Sequence, residues 1–183
     1  HEAWVAAAER FAAGAQEALD AGRRATAREL FLRASCFFAA SYHPLYGEPV
    51  DQRLLAAFRR QVDCLDRGLA LGDPPVAPVR IPFEGTTLPA YLLPAEGRAG
   101  EVRPLLILTN GYDGTITDMY FATAVAATRR GYHCLLFDGP GQGELLGQPP
   151  LAGAQGLQDL GPLGQQPAPG VGLGRLAHRR ADQ

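Results

Sequence analysis

Lysine is absent from this chain of 183 residues, and serine occurs only at Ser35 and Ser41. A phosphate-binding loop needs its lysine, so the first absence excludes the usual nucleotide cradle. The second leaves no Gly-x-Ser-x-Gly, the sharp turn that lifts a nucleophilic serine above a sheet. Cys36, Cys64 and Cys134 are scattered, lack metal-ligand spacing and cannot all pair, which predicts a reduced, cytoplasmic setting. Acidic residues form no metal-ligand pattern either, so no metal site is expected. No apolar run is long enough to span a bilayer, and no basic-then-apolar segment opens the chain as a signal peptide would. A net charge of −2 provides no attraction to nucleic acid or an anionic membrane. Met119 is the sole methionine and the chain opens on His1, which predicts a missing or trimmed start.

What is present is ordinary for a soluble globular protein: 46% hydrophobic and 20% charged residues. All basic residues besides histidine are arginine, and with abundant Ala, Gly and Pro this reads as G/C-rich coding. Three helices are predicted before residue 72. Trp4, Val5, Ala8, Phe11, Ala12, Ala15 and Leu19 recur at helical spacing, with Gly22 as a stop. Leu30, Phe31, Ala34, Phe37 and Phe38 form a second stripe, ended by Pro44 and Gly47. Asp51 can cap a third, carrying Leu54, Leu55, Phe58, Val62, Leu65 and Leu69. These aromatics read as core; Trp4 or Phe38 lining a pocket is the sharper alternative.

Gly72-Asp-Pro-Pro-Val-Ala-Pro78 is a breaker-rich linker and marks the domain boundary. Val79, Ile81 and Phe83 alternate with polar residues or proline, Glu84-Gly85 turns, and Leu88, Ala90 and Leu92 alternate on the return. That is a hairpin whose prolines suit an edge. Leu105–Thr109 and His133–Phe137 are uniformly apolar and predict buried parallel strands. Between them Thr117 can cap a helix carrying Met119, Ala122, Val125 and Ala126, closed by Gly131. Stopping the sheet there predicts exposure of Leu106, Leu108, Leu135 and Phe137. Residues 151–183 are nearly all Gly, Ala, Leu, Gln, Pro and Arg, with Val171 the one β-branched residue. This low-complexity tail is expected to be disordered, or to be the product of a shifted reading frame.

Each predicted parallel strand runs into a Gly-rich turn, Asn110-Gly-Tyr-Asp-Gly-Thr115 and Asp138-Gly-Pro-Gly-Gln-Gly-Glu144. A hairpin followed by strand, helix and strand with these turns resembles the start of the α/β-hydrolases. The likeness is to the branch with an N-terminal helical domain, and extends more loosely through Arg33-Ala-Ser-Cys-Phe-Phe38. That branch includes dihydroxypseudooxynicotine hydrolase, the fermentation-respiration switch proteins and acylaminoacyl peptidase-like hydrolases. The resemblance implies a fold of α/β class: residues 1–72 a helical, cap-like domain and 73–150 the N-terminal part of an incomplete α/β-hydrolase sheet. It implies hydrolysis of an ester, amide or carbon–carbon bond by a Ser-His-Asp triad without metal or organic cofactor, acting on a small ester-like or amide-like substrate. It also implies that the Tyr112 N–H is an oxyanion donor and that Gly111 lets the backbone approach substrate; an ordinary strand-to-helix turn is the alternative. Asp138 reads as structural.

The triad itself is absent. Ser35 and Ser41 precede the sheet, while an acid and a histidine would have to come from strands the chain lacks. His43, His133 and Cys134 read as structural, and His178 lies in the tail. The chain is therefore expected to be inactive alone. A non-catalytic module whose helical bundle binds a partner is the competing reading, and a homo-oligomer is left open. The bundle is expected to lie over the carboxyl ends of the strands.

Overall fold

The computed structural model describes residues 1–111 and 114–145. Three helices come first: α1 (Glu2–Asp20), α2 (Arg24–Tyr42) and α3 (Gln52–Ala70). After α1 the chain reverses at Gly22, whose φ of +73° is open to glycine without the clash other residues meet. The Asp51 side chain accepts the Arg53 backbone N–H at 2.8 Å, satisfying a donor that the start of α3 would leave open. Ala8, Ala12 and Ala15 of α1 pack on Phe31, Ala34 and Phe38 of α2 and Cys64 of α3. Small side chains on one helix let the large rings of the next approach closely, and Phe31 and Phe38 are fully buried. Trp4 lies outside this core, 46% exposed, with its ring edge-on to Phe37 at 5.2 Å.

Two strands follow as an antiparallel hairpin, β1 (Pro78–Phe83) and β2 (Thr86–Leu93). Both loop residues have positive φ, +41° at Glu84 and +81° at Gly85, the backbone that matches a two-residue turn to strand twist. β3 (Leu105–Thr109) and β4 (His133–Phe137) are parallel, an arrangement that needs a crossover. The crossover is α4 (Ile116–Met119), a π-helical stretch Tyr120–Ala124, and α5 (Val125–Arg129). Its cap is Thr115 and not Thr117. Thr115 has Asp118 three residues on, and the two exchange side-chain and backbone hydrogen bonds as a capping box. Thr117 has Tyr120 at that position and lies buried inside the first turn.

The four strands are ordered β1-β2-β4-β3. One face of the sheet presents Tyr91, Leu93, Cys134 and Leu136 to Leu32, Leu65 and Leu69 of the bundle and to Ile116, Tyr120 and Ala124 of the crossover. The other face is open toward β3, where Leu92, Leu105 and Ile107 are 52%, 48% and 61% exposed, while Leu88 and Ala90 farther along β2 are buried. β3 is thus parallel, as expected, but not buried. Its Leu106 and Leu108, expected to be exposed, are half-buried against the core, as are Leu135 and Phe137 on the open face. Leu92 also points outward, with Tyr91 and Leu93 taking the inward positions. The reason is that α2, α3 and the crossover pack on one face, and period-two strands place alternate residues on opposite faces. No helix among the described residues is long and apolar enough to cross a membrane.

Candidate active site

Because β3 and β4 are parallel, the segments that leave them emerge at the same edge of the sheet. Asn110 follows β3 and Asp138 follows β4, and the Asn110 amide donates to Asp138 Oδ1 at 3.2 Å. The Ile116 backbone N–H also acts on this carboxyl, lowering its pKa, so one carboxyl group lies between both strand ends and the start of α4. It is buried beneath the Gly-rich turn. A Cβ on Gly143 would lie 2.1 Å from Asp138 Oδ2, and the φ of that glycine is +52°; any side chain there would displace the carboxyl. Gln142 bridges the two turns, accepting the Gly139 N–H at 2.9 Å and donating to the Gly111 carbonyl.

Burial pushes the Asp138 carboxyl from the ordinary 3.8 up to about 7, against the lowering effect of the Asn110 and Ile116 hydrogen bonds. Asp118 and Glu144 nearby push the same way. Glu144 is itself paired with Arg80 of β1 at 2.5 Å. Behind Asp138 lies a cavity of about 20 Å³, room for one water molecule. Its polar walls are Thr115, Thr117, Asp138, Glu144 and Tyr91, and its apolar roof is Phe58, Val62 and Leu65 of α3. Beside it the Tyr91 hydroxyl donates to Asp66 of α3 at 2.5 Å, and burial raises both groups. Helix α3 therefore lies against the strand ends as well as the covered face.

Gly111 is exposed at the end of β3, and nothing stands within 4 Å of where its Cβ would be. Tyr112 lies outside the described residues, as do His178 and the tail. Ser35 and Ser41 are buried in the bundle, donating to the carbonyls of Gln61 at 2.9 Å and Phe38 at 2.7 Å. His133 has Nδ1 accepting the Ala95 N–H at 2.9 Å and Nε2 at 3.0 Å from the Glu101 carbonyl, so it ties a loop to β4. His43 stacks on Tyr42 with ring centroids 5.7 Å apart. Cys134 is fully buried in the core, and burial raises its thiol. Neither Trp4 nor Phe38 borders the cavity. No cluster of metal-ligating side chains occurs among the described residues. Three contributors lie outside the expected site residues, all neutral amides: Asn110 and Gln142 lie within the two Gly-rich turns, and Gln61 lies in no motif.

Helical bundle, hairpin, parallel pair and converging Gly-rich turns define an α/β-hydrolase-like chain, equivalent to the N-terminal part of that fold. Relatives of known name are hydrolases. Hydrolase acrC of Aspergillus aculeatus is 40% identical over 78% of this chain and 36% of its own length. The α/β-hydrolase xenA of Xenoacremonium sinensis is 35% identical over 97% of this chain and 44% of its own. The crystal structure of 2,6-dihydroxy-pseudo-oxynicotine hydrolase superposes with a TM-score of 0.67 at 25% identity, over 78% of this chain and 38% of that one. The chain thus spans 36–44% of the length of these relatives. No family model matches it.

Proposed function

We propose that this chain forms the helical cap (1–72) and the first part of the catalytic sheet (73–150) of a serine-type α/β-hydrolase. The substrate would be a small molecule with an ester, amide or cleavable carbon–carbon bond. The observation that carries this reading is the convergence of both parallel strand ends, tied by Asn110 and Asp138, beneath Phe58 and Val62 of α3. Open α/β sheets place their chemistry at that edge. There Gly111 leaves the approach to β3 unobstructed, and the Tyr112 N–H would stabilise the oxyanion formed when a serine attacks the carbonyl. Serine, acid and histidine would come from later strands. Three unpaired cysteines support a cytoplasmic location.

One observation favours a second reading for the chain by itself: both its serines are buried and hydrogen-bonded within the bundle. Residues 1–183 alone would then bind without catalysing. A fluorophosphonate probe and nitrophenyl acetate distinguish the two. The isolated chain should neither label nor turn over ester, whereas a longer product of the same gene should do both. In that longer protein Tyr112→Pro, which deletes the N–H, should lower kcat by about 10²–10³-fold, and Tyr112→Ala, which keeps it, should not. Sequencing the gene beyond the codon for Pro150 tests the shifted frame: an adjacent frame without a Gly-x-Ser-x-Gly would end that idea.

A further inference from the structure

The inward stripe of α3 is apolar at Leu54, Phe58, Leu65 and Leu69 but carries an amide at Gln61, which is fully buried. A buried amide costs stability unless its polar atoms are paired, so its presence needs a reason. Both ends are paired. Oε1 accepts the Tyr42 hydroxyl at 2.5 Å, and Nε2 donates to Thr115 Oγ1 at 3.1 Å. Ser35 adds a bond to the Gln61 backbone carbonyl, fixing α2 and α3 together at this level.

We propose that Gln61 is a positioning residue: through Thr115 it sets where α4 begins, and with it the Asn110–Asp138 pair at the strand ends. The hydroxyl of Thr115 has one proton and two lone pairs. The proton goes to Asp118 Oδ2 at 3.2 Å, and one lone pair takes the backbone N–H of Asp118 in the capping box. The remaining lone pair receives Gln61. The amide thus meets Thr115 through its NH₂ and Tyr42 through its carbonyl. The next backbone N–H, that of Ile116, faces Asp138 and holds its carboxyl pKa down. A single peptide unit therefore joins the buried amide of the bundle to the buried carboxyl of the candidate site. Gln61 touches no reacting atom and acts only through this link. The assignment rests on the hydrolase reading given above, but its geometry does not.

Hydrogen exchange on residues 1–183, read by mass spectrometry, tests the link. Gln61→Leu and Thr115→Val should speed exchange of amides 114–119 by at least about tenfold relative to those of β2, since each deletes a buried hydrogen bond local to that segment. Thr115→Ser, which keeps the hydroxyl, should stay near the wild type. Tyr42→Phe removes a single oxygen and serves if Gln61→Leu does not fold. Unchanged exchange at 114–119, or an equal rise throughout bundle and sheet, would overturn the assignment. In a longer catalytic product, Gln61→Leu should lower kcat with KM nearly unchanged. If Gln61→Leu loosens 114–119 while Tyr112→Pro leaves kcat intact, the link stands and the oxyanion reading falls. If Tyr112→Pro lowers kcat while Gln61→Leu changes neither exchange nor kcat, the link falls and the oxyanion reading stands.

Discussion

Cys134 and Leu136 on β4 are fully buried, whereas Leu105 and Ile107 on the neighbouring strand, pointing the opposite way, are about half exposed. The residues are chemically alike; what differs is the cover. Leu32, Leu65 and Leu69 of the bundle and Ile116, Tyr120 and Ala124 of the crossover all meet one face. The bundle is thus more than an appendage in front of the sheet. It covers part of the sheet's closed side, and the same helix α3 carries Phe58 and Gln61 to the strand ends.

Truncations on the two sides should therefore differ most. Leu65→Ala in the bundle and Leu136→Ala in the sheet should each cost about 2–5 kcal/mol, read from urea midpoints, because each leaves a cavity in one shared core. A small loss for Leu65→Ala would mean that the bundle does not support the sheet. A lesser effect concerns Asp138, which lies where the two parts meet. Its folded pKa of about 7 exceeds the ordinary 3.8, so the folded state binds the proton more tightly than the unfolded chain. Its contribution is fully present below about pH 4, falls as pH rises to 7, and is flat beyond. Asp138→Asn should remove that decline between pH 4 and 7; an unaltered slope would show that another group causes it. The smallest change belongs to the open face. Ile107→Thr should alter stability by no more than about 0.5 kcal/mol, while reducing any self-association measured by sedimentation. A loss as large as that of Leu136→Ala would show that the face is covered in solution.

Much of the architecture could be read in advance because its signals are local. Asp51 before an apolar stripe, Gly22 after one, and Glu84-Gly85 between alternating runs each impose a backbone geometry within a few residues. Uniformly apolar runs at 105–109 and 133–137 identified parallel strands but could not say which face would be covered, since that depends on helices distant in sequence. Thr115 was hidden beside Thr117, although only the first has an acid three residues on. Gln61 was visible in principle: it falls between Phe58 and Leu65 on an otherwise apolar stripe, at positions i+3 and i−4. Its partners, Tyr42 and Thr115, are 19 and 54 residues away, and no spacing rule connects them. Asp138 read as structural from its turn, but its raised pKa depends on burial that only the packed chain creates.

The strand order has a consequence for synthesis. β3 and the inner edge of β2 have one described neighbour in common, β4, whose last residue is Phe137. As the chain leaves the ribosome, α1 to α3 can meet once residue 70 is free, because their mutual contacts involve nothing later. β3 is made well before β4 yet has no described strand to pair with until β4 appears. For those intervening residues Leu105 to Thr109 travel as an apolar segment with open backbone donors and acceptors, the kind of edge that invites wrong pairing. The arrival of β4 then joins hairpin, β3 and crossover in one event. In this protein the decisive moment of sheet assembly belongs to a strand of five residues.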